Sequence, residues 1–148
     1  MINNLIFLRH YIFIDPDDIS NDINDNNILK YIKKKHNGNY KNGEIVKYYG
    51  YYDIIQLLNN FDKELCDLFK EINCNYPALL ADIGRLIILY NYGGVYHDLR
   101  FMSEKKLIDY LNLVSPEIEL IGEEHPKCKF RTRVGNIVAL HKNCKFIK

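Results

Sequence analysis

Apolar and polar positions along this chain shift between two periods, and each shift marks an element. Leu5-Ile6-Phe7-Leu8 and Tyr11-Ile12-Phe13-Ile14 are short apolar runs on either side of Arg9-His10, closed by Asp15-Pro16-Asp17-Asp18. Runs of this length stopped by turn residues predict a buried strand. Residues 20–27 are rich in Asn and Asp and predict a solvated loop or helix start. Residues 28–36 put Ile28, Leu29 and Ile32 at helical spacing and end in Lys33-Lys34-Lys35, a solvated helix end where cations are favoured. A strand is predicted over 44–49, after the Asn37-Gly38-Asn39 and Asn42-Gly43 turns. One long helix follows over 53–72, with Ile54, Leu57, Leu58, Phe61, Leu65, Leu68 and Phe69 on its apolar face. Pro77 opens another over 77–90, at a position where its missing N–H costs nothing. That helix is apolar nearly all round, so the pattern predicts burial. Gly93-Gly94 stops it, one glycine taking the left-handed position. A strand over 95–98, a short helix over 103–111 and strands over 118–121 and 134–140 complete the pattern. Strands alternating with helices, without repeat or linker, predict one α/β domain over 1–148.

Composition narrows this reading. At 148 residues the chain can bury enough surface to fold without a disulfide or metal. Its 20 Lys+Arg against 19 Asp+Glu give a net charge of +1. That argues against nucleic-acid binding driven by bulk charge. No segment approaches the ~20 uninterrupted apolar residues of a membrane helix. The N-terminal apolar stretch contains Arg9-His10 and lacks a small-residue cleavage site, so a strand is expected and not a signal peptide. These features predict a cytoplasmic protein whose four cysteines are reduced, Cys66 and Cys74 being structural.

The helix over 77–90 carries two charges, Asp82 and Arg85, three residues apart and hence on one face. Burying them is expensive unless they pair or serve a ligand, so a structural ion pair and a binding role both fit. Gly93-Gly94-Val95-Tyr96-His97-Asp98 then places an aromatic and a carboxylate at a strand end. Ligands of open α/β sheets bind beyond such ends.

The unbroken stretch Leu80-Ala81-Asp82-Ile83-Gly84-Arg85, through Tyr92-Gly93-Gly94, to Val95-Tyr96-His97-Asp98 resembles the signature of DXD-motif glycosyltransferases of family 32. The glucosylating domains of large clostridial toxins are similar. Arg9-His10-Tyr11-Ile12-Phe13 resembles the first strand of that family, with Phe13 where Trp is usual. Residues 40–53 resemble its second strand, and Gly135-Asn136-Ile137-Val138-Ala139 its Asn-bearing strand. The resemblance implies a GT-A type, Rossmann-like nucleotide-diphospho-sugar transferase domain, shortened at its C-terminus. It implies transfer of a hexose from a UDP- or GDP-sugar to a glycan or protein hydroxyl, with retention of configuration. Asp82 and Arg85 would bind the donor sugar and diphosphate, as a carboxylate accepts from hydroxyls and a guanidinium forks onto phosphate. Tyr96 would line the nucleotide pocket, Phe13 would stack on the base, and Asn136 would contact the substrate. Asp98 would face the ribose and a divalent Mn²⁺ or Mg²⁺.

The pattern breaks at Asp98-Leu99-Arg100, where the family has a second aspartate that ligates the metal. Either Arg100 itself neutralises the diphosphate leaving group, making Asp98 and Arg100 the catalytic pair of a metal-independent enzyme. Or catalysis is lost, leaving a sugar-nucleotide-binding or interaction protein on the same fold. A different class of reading takes His125, Cys128, His141 and Cys144 as a tetrahedral zinc site. His97 is expected to be a neighbour of the site and not a catalyst. Lys127, Lys129, Arg131 and Arg133 are expected along a solvated strand edge.

Overall fold

The computed structural model describes residues 8–17, 19, 23–37, 44–99, 118–124 and 132–147. The expected helix over 103–111 lies outside these residues, as do Arg100, His125, Cys128, Lys127, Lys129 and Arg131.

The α/β class holds. Strands β1 (Leu8–Ile12) and β2 (Ile45–Tyr49) are joined by a short 3-10 turn (Ile23–Asp25) and helix α1 (Asn27–His36). Helices α2 (Tyr51–Phe61), α3 (Lys63–Glu71) and α4 (Pro77–Tyr92) lead to β3 (Gly94–His97), followed by β4 (Leu120–Glu124) and β5 (Thr132–Ala139). The described strands form one sheet of order β2-β1-β3-β5-β4. β1 pairs in parallel with both β2 and β3, whereas β5 runs antiparallel to β3 and β4.

This order contains a reversal. The chain leaves β1 in one direction to make β2, then crosses back to make β3 on the other side of β1. Crossovers of one hand running in opposite directions must place their helices on opposite faces of the sheet. Accordingly His36 of α1 packs on Tyr11 at 4.6 Å between ring centroids. On the other face, Ile12, Tyr49, Tyr96, Ile137 and Ala139 join Ile54 and Leu58 of α2, Phe69 of α3 and Leu80 and Ile88 of α4 in the main core.

Local chemistry sets the element ends. The Asn26 side chain accepts from the N–H groups of Ile28 and Leu29, capping α1. Gly93 (φ 63°) and Gly94 (φ 93°) both adopt left-handed backbone, so the turn into β3 needs both glycines.

Two expectations are corrected. The single helix over 53–72 is two helices, because Asp62 is extended (φ −157°, ψ 117°) and its carboxylate caps the Leu65 N–H at 3.0 Å. Periodicity carried through this residue, since the apolar stripe resumes in register beyond it. Nor is α4 buried all round. Leu79 and Leu86 are 48% and 41% exposed, because the helix lies on the outside of the sheet and one face remains open among the described residues. Among these residues no helix is long and apolar enough to cross a membrane.

Candidate functional site

The reversal beside β1 is the switch point at which open α/β sheets bind ligands, outside the carboxyl ends of the flanking strands. A cleft of about 530 Å³ lies there, within the range of small-molecule sites. β1 contributes Ile12 at its end and Ile14 just beyond it. β3 contributes Tyr96 and, one residue past its end, Asp98. α4 contributes Asp82 and Arg85, and β5 contributes Gly135.

The charged groups form one cluster. Arg85 is buried, with its side chain 5% exposed, whereas the Asp82 and Asp98 side chains are 51% and 53% exposed. The guanidinium pairs with Asp82 Oδ1 one helical turn back and stands 3.7 Å from Asp98 Oδ1. Its Nε donates to the Ala81 carbonyl at 3.3 Å, and its carbon lies 4.7 Å from the Tyr96 ring centroid. Tyr96 in turn donates its hydroxyl to Asp98 Oδ1 at 3.1 Å. Burial raises the Tyr96 phenol above its ordinary value against the opposing pull of Arg85, so it remains a donor. A buried cation and a phenol thus hold two carboxylates at the cleft wall. Two carboxylates against one guanidinium leave this cluster net negative.

Behind the cleft runs a polar chain across the sheet. Glu44 Oε1 accepts from Arg9 Nη2 at 2.6 Å, and Arg9 Nη1 donates to His97 Nε2 at 2.7 Å. A guanidinium can only donate, so His97 carries its proton on Nδ1 and gives it to Asn136 Oδ1 at 2.9 Å. Burial lowers the His97 imidazole to about 4, helped by the Arg9 charge and opposed by the Asn136 bond. On the other face, His10 Nε2 donates to the Gly93 carbonyl at 2.8 Å and its Nδ1 accepts the Tyr49 hydroxyl at 3.0 Å.

The structure therefore gathers Asp82, Arg85, Tyr96 and Asp98 in one cleft. Asn136 stands on the opposite face of β5 from the core, bound to His97, and outside the cleft lining. Phe13 is 7% exposed and faces a neighbouring cavity of about 10 Å³ with Asp15, Ile19, Ile23, Asn26 and Tyr51. Ile14 lines both spaces. His97 is buried beside the site, its side chain on the opposite face of β3 from Tyr96 and bound to Arg9 and Asn136. Sequence reasoning missed Arg9 as a partner of His97 and Glu44 as the partner of Arg9, and missed Gly135 as a wall of the cleft. A glycine inside an apolar strand is the one local signal that points to Gly135.

His141 is exposed and Cys144 buried, and the described residues contain no group of three metal-ligating side chains. Nothing supports the zinc reading. Mg²⁺ and Mn²⁺ take several oxygen ligands. Asp98 Oδ1 is engaged by Tyr96 and Arg85, which leaves Oδ2 for such an ion. The described residues do not by themselves fit a protein-held cation.

Fold and cleft together define an open, mixed-sheet α/β architecture with a cleft at the switch point, compatible with a GT-A-like domain. Residues 16–118 match the family described as glycosyltransferase sugar-binding region containing DXD motif, and the chain belongs to that family. No match was found among curated proteins or among solved structures.

Proposed function

We propose that the switch-point cleft binds a nucleotide-sugar donor, a UDP- or GDP-hexose, for transfer of the hexose to a glycan or protein hydroxyl. The observation that carries this reading is the buried Arg85 clamped between two half-exposed carboxylates on the cleft wall. Asp82 and Asp98 offer lone pairs to sugar or ribose hydroxyls, and charge-assisted bonds of this kind are the stronger class. Arg85, engaged by both carboxylates, serves hydroxyl recognition better than diphosphate neutralisation. The negative balance of the cluster points the same way. The charge that offsets the diphosphate must then come from elsewhere, and Arg100, two residues after Asp98 in sequence, is the candidate. In this scheme Tyr96 forms one wall and holds Asp98.

A thermal-shift series with UDP-glucose, UDP-galactose, GDP-mannose and the free nucleotides, each with and without Mn²⁺, tests the proposal. A ligand that binds only the native state raises the melting temperature by mass action. At least one nucleotide sugar is expected to do so in the native protein, and by a clearly smaller amount in Asp82→Ala and Asp98→Ala, which keep a weakened, measurable affinity. A flat series across all of them would refute the donor site.

The second reading, donor binding without transfer, rests on Arg100 standing where the family places a metal-binding aspartate. On that reading Arg100→Asp creates Mn²⁺-dependent hydrolysis of the donor, measured as nucleotide release, where the native chain shows none. If the native chain already releases nucleotide without added metal, Arg100 is part of a working site and the second reading is wrong.

A further inference from the structure

We propose that Gly135 is a positioning residue for Asp98, and that its missing side chain is the notch through which the Asp98 carboxylate meets a ligand hydroxyl. The ligand half of this inference rests on the donor-site reading above.

The backbone does not require glycine here. Among the described residues only Gly93, Gly94 and Asn143 have positive φ, so Gly135 has a conformation open to any residue. Glycine inside a strand is otherwise a weakness, since it adds chain entropy and packs nothing. What it provides is space. A Cβ at this position would stand 2.7 Å from Asp98 Oδ2 and 3.4 Å from its Cγ, the first well inside van der Waals contact.

The two strands meet closely at this point. Asp98 N–H donates to the Gly135 carbonyl at 2.8 Å, one step past the His97–Asn136 pair of the β3–β5 ladder. Here β5 also departs from β4. The register passes from Gly122–Ile137 directly to Glu123–Arg133, so residues 134–136 bulge out of that ladder. Bulges of this kind re-aim strands beside binding sites. Gly135 lies within this bulge and lines the cleft wall.

Asp98 is loaded asymmetrically. Its Oδ1 takes the Tyr96 hydroxyl and the Arg85 charge, while Oδ2 has no hydrogen bond among the described residues and faces Gly135. A methyl at 135 would force the carboxylate to turn. Turning withdraws Oδ2 from the cleft and pulls Oδ1 off Tyr96 and Arg85 together. Because the displaced atom ends a flexible side chain, the fold can absorb the change, and the loss falls on recognition.

Gly135→Ala tests this, with two readouts. The first needs no ligand. The ¹³C signal of the Asp98 carboxyl, assigned by its loss in Asp98→Ala, is expected to shift in Gly135→Ala while that of Asp82 stays in place. An unmoved Asp98 signal overturns the positioning role. The second is a double-mutant cycle on affinity for UDP-glucose, UDP-galactose and GDP-mannose, read by calorimetry. Gly135→Ala is expected to weaken whichever probe binds about tenfold or more in the native background, and not at all once Asp98 is Ala. Equal losses in both backgrounds, or no loss in the native one, overturn the ligand half. If the native protein binds none of the ligands of the thermal-shift series, the donor-site reading and the ligand half fall together. The carboxyl signal still decides whether Gly135 positions Asp98.

Discussion

Replacing Arg85 with Met is expected to weaken donor binding severely while leaving a folded protein. Met keeps an unbranched, flexible stem of similar reach and can fill the space beneath Tyr96, so packing survives. What disappears is the charge between Asp82 and Asp98. The pairs are half in water on the carboxylate side, so their direct worth to stability is well below the 3–5 kcal/mol lost when a fully buried pair is broken. A decrease of about 1 kcal/mol in unfolding free energy is expected from chemical denaturation. Recognition suffers more. Without the guanidinium the two carboxylates repel, and the Asp98 Oδ1 restraint falls to Tyr96 alone. Donor affinity is expected to drop about a hundredfold, close to 3 kcal/mol. Arg85→Lys is expected to recover little of it, because an ammonium neither lies flat on Tyr96 nor spans two carboxylates. Native-like affinity in Arg85→Met would mean that the cluster is structural and the donor binds elsewhere.

Acidification from pH 7 to pH 5 is expected to destabilise the fold steeply, through the buried histidines. His10 is 0% exposed and His97 3% exposed. Burial pushes both imidazoles down to about 4, from the ordinary value of 6.5. Protonating His97 would set an imidazolium against the Arg9 guanidinium that already donates to it. For His10, which lies near Lys47 and His97, the obstacle is mainly the loss of hydration. His36 is lowered by burial too, with its Nε2 on the Leu99 carbonyl and its Nδ1 accepting from Tyr48. The sign follows from proton counting. Below 6.5 the unfolded chain takes up protons that the folded one refuses, so stability is full above 6.5 and drains away as pH falls toward 4. With two such groups the slope in mid-window is about 2–3 kcal/mol per pH unit. Against a typical total of about 5–15 kcal/mol this brings unfolding within reach of pH 4–5. Urea denaturation at pH 7, 6 and 5 measures the slope, and His97→Gln should reduce it by about half. A flat profile would show that the imidazoles are hydrated or already charged in the folded chain.

Much of the local architecture could be read from the residues in order. The Pro77 start, the Gly93-Gly94 stop and the strand that follows are all set within a few residues, by a missing N–H and by backbone with positive φ. Asp82 and Arg85 share a helix face by spacing alone, and Asp98 had to emerge at a strand end. The break at Asp62 was locally encoded as well, since an Asp that caps the N–H three residues on is a helix-start signal. It was masked by an apolar stripe that runs on through α2 and α3.

Strand order and its consequences were decided at longer range. Nothing local states that β3 pairs with β1 on the side away from β2, yet that choice creates the switch point and therefore the cleft. The polar chain Glu44–Arg9–His97–Asn136 joins residues 35, 88 and 39 positions apart, and no periodicity constrains such pairs. Gly135 and Asp98 meet only because β5 runs antiparallel to β3 and bulges at that step. The sequence by itself determined which elements form and which residues each turns toward a partner, because propensity, capping and spacing act over a few residues. Only the tertiary structure decided which partner each meets, because pairing strands and burying charges depend on contacts that the chain must close over dozens of residues.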